Sequence, residues 1–397
     1  MSTYKQSLHF KHGPKGRGDA VNESVIERVD LIRFNREDKR NTKRGGRLVD
    51  RDPIVKAAVV GCGNAGRSRI RSMLTEFRNT HVTVVCEPSP EAYSKTAELF
   101  KANDRAVPPN EPDLGRLLDR YASEIDVAFV VTPHALHCRH VKACLEAGID
   151  VLVEKPMVMT ADEAKELIET RDRTGRLLVV AFQGSLSPYI RGAADMLRSG
   201  ELGPIRNISG VIWQDWAGQF DGKWRQQPEV SGGGFVFDSG AHMLNTVADL
   251  AGEEFTDVWA LFDNHDSPVE VTAVIMGRLA SGTLVTINAC GDTVPSCASD
   301  IRVFCTKAAL RTGAWGESLE ILRKQPENWK LTGISRDQGW EIVDVPESHG
   351  VWEDFLATWT GSMVNPSPPE LGLRMARLWD AIKQSAADNG APVRLGS

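Results

Sequence analysis

Val59-Val60-Gly61-Cys62-Gly63-Asn64-Ala65-Gly66 joins an apolar run to a helix-like one, and the next apolar run, His81-Val82-Thr83-Val84-Val85-Cys86, ends in Glu87. That order fits a βαβ unit that grips a dinucleotide. Gly61 permits the tight turn and Gly63 lets backbone approach a pyrophosphate, with Asn64 and Ala65 filling the loop. Gly66 lets the helix pack on the strand, so that the helix N-terminus faces the negative charge. Glu87 stands about 20 residues further on, where a carboxylate accepts hydrogen bonds from the adenosine ribose and repels a 2′-phosphate. NAD is therefore expected, with NADP the less favoured coenzyme.

The chain has 397 residues, 41% hydrophobic and 25% charged, ordinary values for a soluble globular protein with room for two cores. No apolar run approaches the ~20 residues of a membrane-spanning helix, and the basic, polar N-terminus has no secretory h-region. Seven scattered cysteines without a C-x-x-C pair suit a reducing compartment, so a cytoplasmic protein is expected. Residues 1–53 carry 13 Lys and Arg against 8 Asp and Glu, although the chain is net −6. This basic arm lacks interleaved aromatics or a nucleic-acid module, so no nucleic-acid partner is expected. It is read as lying across its own acidic body or a neighbouring subunit, with a short helix at Ser24–Ile32 and an extended linker from Arg36 to Arg51.

From Ile54 the pattern alternates strand and helix: strands at 56–60, 82–86, 125–131, 150–153 and 177–182, helices at 67–77, 90–101, 137–147 and 161–174. Such alternation predicts a doubly wound parallel sheet, an α/β Rossmann domain over residues 54–176. Longer alternating strands follow at 206–213, 257–263, 269–279, 282–290 and 300–306, with Ala280-Ser281-Gly282 as a hairpin turn. They predict an α+β domain over 177–364 with a large, mainly antiparallel, open-faced sheet. A bare sheet face implies a second subunit, hence a homodimer or homotetramer. Residues 365–397 are expected to form a helix and tail packing back on the body.

Three further stretches fall where such folds place chemistry. Thr132-Pro133-His134-Ala135-Leu136-His137 and Val153-Glu154-Lys155-Pro156 each follow a strand, at the ends where open α/β sheets bind ligands. Gly232-Gly233-Gly234-Phe235-Val236-Phe237-Asp238-Ser239-Gly240-Ala241-His242 puts Asp238 and His242 on one face if it is helical. With the Gly-rich turn, these motifs resemble the glucose-fructose oxidoreductase / inositol dehydrogenase (Gfo/Idh/MocA) family across about Ile54 to Leu395.

The resemblance implies an NAD-dependent oxidoreductase acting on a secondary hydroxyl of a sugar, cyclitol or related polyol. Two other readings belong to the same family: a member that recycles tightly held NAD, and a sensor that has lost catalysis. It makes Lys155, Asp238 and His242 the catalytic group, with His242 the proton acceptor, Asp238 an orienting acid, and Lys155 polarising the hydroxyl or serving as base. Many relatives carry an acid three residues after the histidine; here it is Asn245. The coenzyme would lie against Gly61, Gly63, Asn64, Ala65, Gly66, Glu87, Thr132, Pro133, His137, Glu154 and Lys155. Glu154 either holds the lysine or substrate, or forms a structural ion pair. His134 either lines the nicotinamide edge or simply starts a helix.

Trp213, Asp215, Trp216, Trp224 and Arg225 cluster before the glycine run. Flat indoles with acids and arginine suit a polyhydroxylated ring, so Trp213, Asp215, Trp224 and Arg225 join Lys155, Asp238, His242 and Tyr189 as the expected substrate contacts, with Arg191 beside Tyr189. No H-E-x-x-H or cysteine pair is present, and no metal is expected.

Overall fold

The structure is a computed structural model that describes residues 54–323, 339–345 and 350–396. The expected arm helix and linker lie outside these residues. The first lobe runs β1 (Val55–Val60), α1 (Asn64–Glu76), β2 (Thr80–Cys86), α2 (Pro90–Ala102), α3 (Leu114–Tyr121), β3 (Val127–Val130), α4 (His134–Glu146), β4 (Asp150–Val153), α5 (Ala161–Thr174) and β5 (Leu178–Val180). Its five strands are parallel in the order β2-β1-β3-β4-β5. Strands β3, β4 and β5 are buried almost throughout, as helices on both faces require. The order reverses between β1 and β3, so the ends of these two strands open a crevice.

Local chemistry sets the helix ends. α5 begins with a capping box, Thr160 accepting from the Glu163 amide and Glu163 from the Thr160 amide, and it stops at Gly175 in the left-handed region. Two helices start a turn earlier than the sequence pattern suggests: α1 at Asn64 instead of Arg67, and α4 at His134 instead of His137. In both, the residues that follow the strand-end turn lack apolar periodicity yet adopt helical backbone at once, which brings the helix N-terminus to the crevice.

The second lobe begins with α6 (Gln183–Leu186), α7 (Pro188–Arg198), β6 (Ile205–Asp215), α8 (Trp216–Phe220), α9 (Pro228–Ser231), α10 (Phe235–Asp238) and α11 (Gly240–Ala251). It continues through β7 (Phe255–Asp263), β8 (Thr272–Leu279), β9 (Leu284–Cys290), β10 (Asp292–Cys305), β11 (Ala308–Thr312), β12 (Leu319–Arg323), β13 (Glu341–Ile342), α12 (Val351–Trp359), α13 (Pro369–Ala387) and β14 (Val393–Arg394). The nine strands run in the order β13-β12-β11-β10-β6-β9-β8-β7-β14, antiparallel except for β6 beside β9. One face carries the apolar core with α11 and α13. The other leaves Leu261, Val274, Met276 and Leu284 about half exposed.

Two pairings extend the first lobe along the chain. β5 pairs with β4, so the first lobe runs past residue 176. α12 then returns to it from far along the chain: Trp352 stacks on Phe129 and donates to Thr80 Oγ1 at 2.9 Å. Its Val351, Trp352, Phe355 and Leu356 share a core with β1 and β3. Among the described residues no helix is long and apolar enough to cross a membrane.

Candidate active site

A cleft of about 1480 Å³ opens over the β1–β3 crevice and runs to the second lobe. Gly61 holds φ +99°, and a Cβ there would meet the Val131 carbonyl at 2.6 Å, so only glycine fits. A Cβ on Gly66 would strike the Gly61 carbonyl at 2.1 Å, whereas one on Gly63 would meet nothing within 4 Å. The loop is thus closed beneath and open above. The N-terminus of α1 has no side-chain cap and no acid in its first turn, leaving amides unspent beside Gly63, Asn64 and Ala65. That combination fits a dinucleotide pyrophosphate.

Glu87 ends β2, buried but lining the cleft. Its carboxylate accepts from the Cys62 amide at 2.7 Å and the Ser89 amide at 2.8 Å, while Asn110 bonds its backbone on both sides. It therefore braces the glycine loop and keeps acceptor capacity for a ribose.

Thr132 and Pro133 line the cleft at the start of α4. His137 lines it too, but both ring nitrogens are engaged, with Pro156 O at 2.8 Å and Thr132 O at 2.7 Å. Burial pushes its pKa down although both carbonyls favour the cation. It ties the Thr132 turn to the Lys155 turn instead of offering a polar group to a ligand. His134 contacts the Ser231 carbonyl at 2.7 Å, and burial drives its pKa to about 3. Glu154 takes the structural alternative, an ion pair with Arg69 of α1 at 2.8 Å, and both line the cleft.

Lys155 reaches across to the second lobe. Its Nζ donates to Asp238 Oδ1 at 2.8 Å and to the Asp238 carbonyl at 2.9 Å. Asp238 Oδ2 accepts from Trp216 Nε1 at 3.0 Å and Arg225 Nε at 2.9 Å. Burial would raise this carboxyl, yet Lys155 and Arg225 outweigh it and hold the group well below the usual carboxylate range. Asp238 thus stands behind the cleft wall and fixes the two cations that form it. His242, in the first turn of α11, lines the cleft against Phe182 and Trp315. Its Nδ1 is buried without a hydrogen-bond partner, and desolvation, with Lys155 nearby, pushes its pKa well below the ordinary range. A neutral imidazole beside an ammonium can accept a proton from a hydroxyl that the ammonium polarises.

Besides Asp238, the expected contacts Trp213, Asp215 and Tyr189 do not line the cleft. Strand alternation along β6 turns Gln214 inward, where it accepts from Ser239 Oγ at 2.7 Å, so Trp213 and Asp215 face the other way and do not line the cleft. Trp224 lines the cleft, while Trp216, just past the strand end, is buried and donates to Asp238. Tyr189 lines a smaller cavity of about 130 Å³ that shares only Gln183 with the cleft, and Arg191 pairs with Asp354 at 3.5 Å. Asn245 joins a buried network with Ser185, Asp249 and Arg374, so no third carboxylate enters the site from that position.

Two supporting residues escaped sequence reading, Arg69 and Glu270. Glu270 is buried ahead of β8, and its Oε1 accepts from the amides of Gly234 at 2.7 Å and Phe237 at 3.2 Å. It therefore anchors the turn that presents Asp238. Burial raises its carboxyl to about 7 despite those amides. A folded-state value above the unfolded one means that the native state holds the proton more tightly. That stability is complete below about pH 4.5 and is lost as pH rises through 7, by roughly 3 kcal/mol. Glu270→Gln keeps the acceptor oxygen, so urea unfolding at pH 5 and pH 8 should show a flatter pH slope than wild type. Equal slopes would contradict this role.

Comparison with known proteins shows the family and the fold. Residues 55–182 match the oxidoreductase family with an NAD-binding Rossmann fold, and residues 190–311 match the GFO/IDH/MocA C-terminal domain. A 1-carboxy-3-chloro-3,4-dihydroxycyclohexa-1,5-diene dehydrogenase of Comamonas testosteroni is 31% identical over 147 residues, 36% of each chain. A D-xylose 1-dehydrogenase [NADP(+)] of Haloarcula marismortui is 27% identical over 198 residues, 49% of this chain and 54% of the relative. The chain thus spans about half or less of these curated relatives. A levoglucosan dehydrogenase solved with NADH and levoglucosan superposes with a TM-score of 0.72 at 21% identity, covering 86% of this chain and all of the other, and shares the fold.

Proposed function

Because this chain belongs to the Gfo/Idh/MocA oxidoreductase family, whose two domains cover more than half of it, we propose that it moves a hydride between NAD and a secondary hydroxyl or ketone of a sugar, cyclitol or related polyol. The observation that carries this reading is the meeting of Lys155 with Asp238 across the cleft, beside a neutral His242. The bound dinucleotide would supply the hydride acceptor at the cleft floor. Lys155 donates to the substrate oxygen and lowers the cost of its negative charge. His242 takes the hydroxyl proton as the carbinol hydrogen leaves. Asp238 acts through Lys155 and Arg225, as a positioning residue.

The buried Glu87 beside the glycine loop supports NAD over NADP, since a 2′-phosphate there would face a carboxylate. Initial rates with both coenzymes across sugars, inositols and sugar acids test the proposal. The expected result is coenzyme reduction at 340 nm with NAD preferred. No reduction across the panel would overturn it.

For the outer sheet face, we propose a second copy of the chain as the cover. Leu261 lies directly opposite Val274 in the β7–β8 register, and Met276 follows on the same face, so the half-exposed apolar side chains are contiguous. A two-fold axis lets one such patch meet itself. Light scattering after gel filtration should give at least a dimer, and Leu261→Glu with Met276→Glu a monomer. A monomeric wild type would rule this out.

A further inference from the structure

Arg225 is clamped, yet only part of its guanidinium is committed. Nε donates to Asp238 at 2.9 Å, and the group lies over the Trp224 and Phe220 rings at 4.4 and 4.6 Å from their centroids. Its terminal amino groups have no partner among the described residues, and the side chain keeps 25% of its surface exposed where it lines the cleft. A guanidinium held against two rings has little rotamer freedom left to lose, so its fork is ready for a planar pair of oxygens.

The local charge points the same way. Lys155, Arg225 and Arg69 face Asp238 and Glu154, and Lys223 lines the same wall over the Phe220 ring, so cations outnumber carboxylates here, while burial keeps His134 and His242 neutral. An unmatched cation in a half-buried cleft is costly until an anion arrives.

We propose that the substrate carries a carboxylate and that the free fork of Arg225 binds it. Lys155 and Arg225 grip the two oxygens of one Asp238 carboxylate, so the acid group would sit close to the reacting carbinol. The substrate class is then a sugar acid, uronic acid or cyclitol carboxylate. This deepens the oxidoreductase reading for the reacting hydroxyl, but the anion site itself requires no turnover.

The test uses the full chain with matched compounds: D-glucose, D-glucuronate and D-glucose 6-phosphate, then D-glucitol and D-gluconate, then myo-inositol and quinate. Two readouts are taken, the initial rate of NAD reduction and equilibrium binding by tryptophan fluorescence with NADH present. The acids should exceed their neutral partners by about 10- to 100-fold in kcat/KM and in affinity. Arg225→Gln should erase that preference, and Arg225→Lys should restore it only in part. Phe220→Leu, which loosens the clamp without removing charge, should weaken the preference and covers the case in which Arg225→Gln does not fold. Neutral polyols turned over as well as their acids would overturn the carboxylate and leave the dehydrogenase standing, as would a preference for the phosphate. Selective acid binding without coenzyme reduction would leave the anion site standing and sink the dehydrogenase.

Discussion

Lys155→Ala is expected to lower kcat by about 10³-fold while coenzyme affinity stays within about threefold of wild type. The lysine reaches from the first lobe to Asp238, donating to both its carboxylate and its backbone carbonyl. It also lines the cleft, which its positioning partner Asp238 does not. Its removal takes away the donor proposed for the substrate oxygen but leaves the glycine loop and Glu87 untouched. Asp238 would keep Trp216 and Arg225, so the fold should survive. Stopped-flow turnover and fluorescence titration with NADH separate the two effects. A variant within tenfold of wild-type kcat would show that Lys155 does not carry the chemistry.

Asp238→Ala should have the largest effect on stability, about 3 kcal/mol. The carboxylate is buried and serves Lys155, Arg225 and Trp216 at once. Without it, two cations face each other across a half-buried gap and an indole N–H loses its acceptor. Both cations keep some exposure, 15% for Lys155 and 25% for Arg225, so water recovers part of the loss. Urea unfolding measures the difference. A second change, Arg225→Met in the Asp238→Ala background, removes one of the opposed charges and should return part of the stability. A single variant within 1 kcal/mol of wild type would mean that the carboxylate is not what reconciles these cations.

What the sequence disclosed was local. The Gly61–Gly66 turn and the helix at 161–174 each depend on residues close in sequence, and each stands as read. Lys155 and His242 were legible because each sits at a strand end or beside a glycine run. Trp213 and Asp215 misled because β6 continues to Asp215. Ending the strand at Trp213 hides the alternation that turns both residues away from the cleft. Tyr189 follows a plausible Ser-Pro turn, but α7 carries it to a neighbouring cavity.

Long-range partners left no local trace. Arg69 meets Glu154 across 85 residues, and α12 reaches Thr80 across 272. Glu270 is one acid in a loop, and only the folded chain brings it to the amides ahead of Asp238. Such pairings are set by packing between elements, and periodicity within a segment does not record them.

The proposed function requires hydride to pass directly from a carbinol carbon of the substrate to the coenzyme in this cleft. Incubating the full chain with NAD and a turned-over polyol deuterated at each carbinol in turn, then weighing the reduced coenzyme by mass spectrometry, tests this directly. One labelled position should deliver its deuterium to the coenzyme with wild type, and none should do so with Lys155→Ala. Reduced coenzyme without label from any carbinol, or no reduced coenzyme while polyol and NAD are both bound, would contradict it.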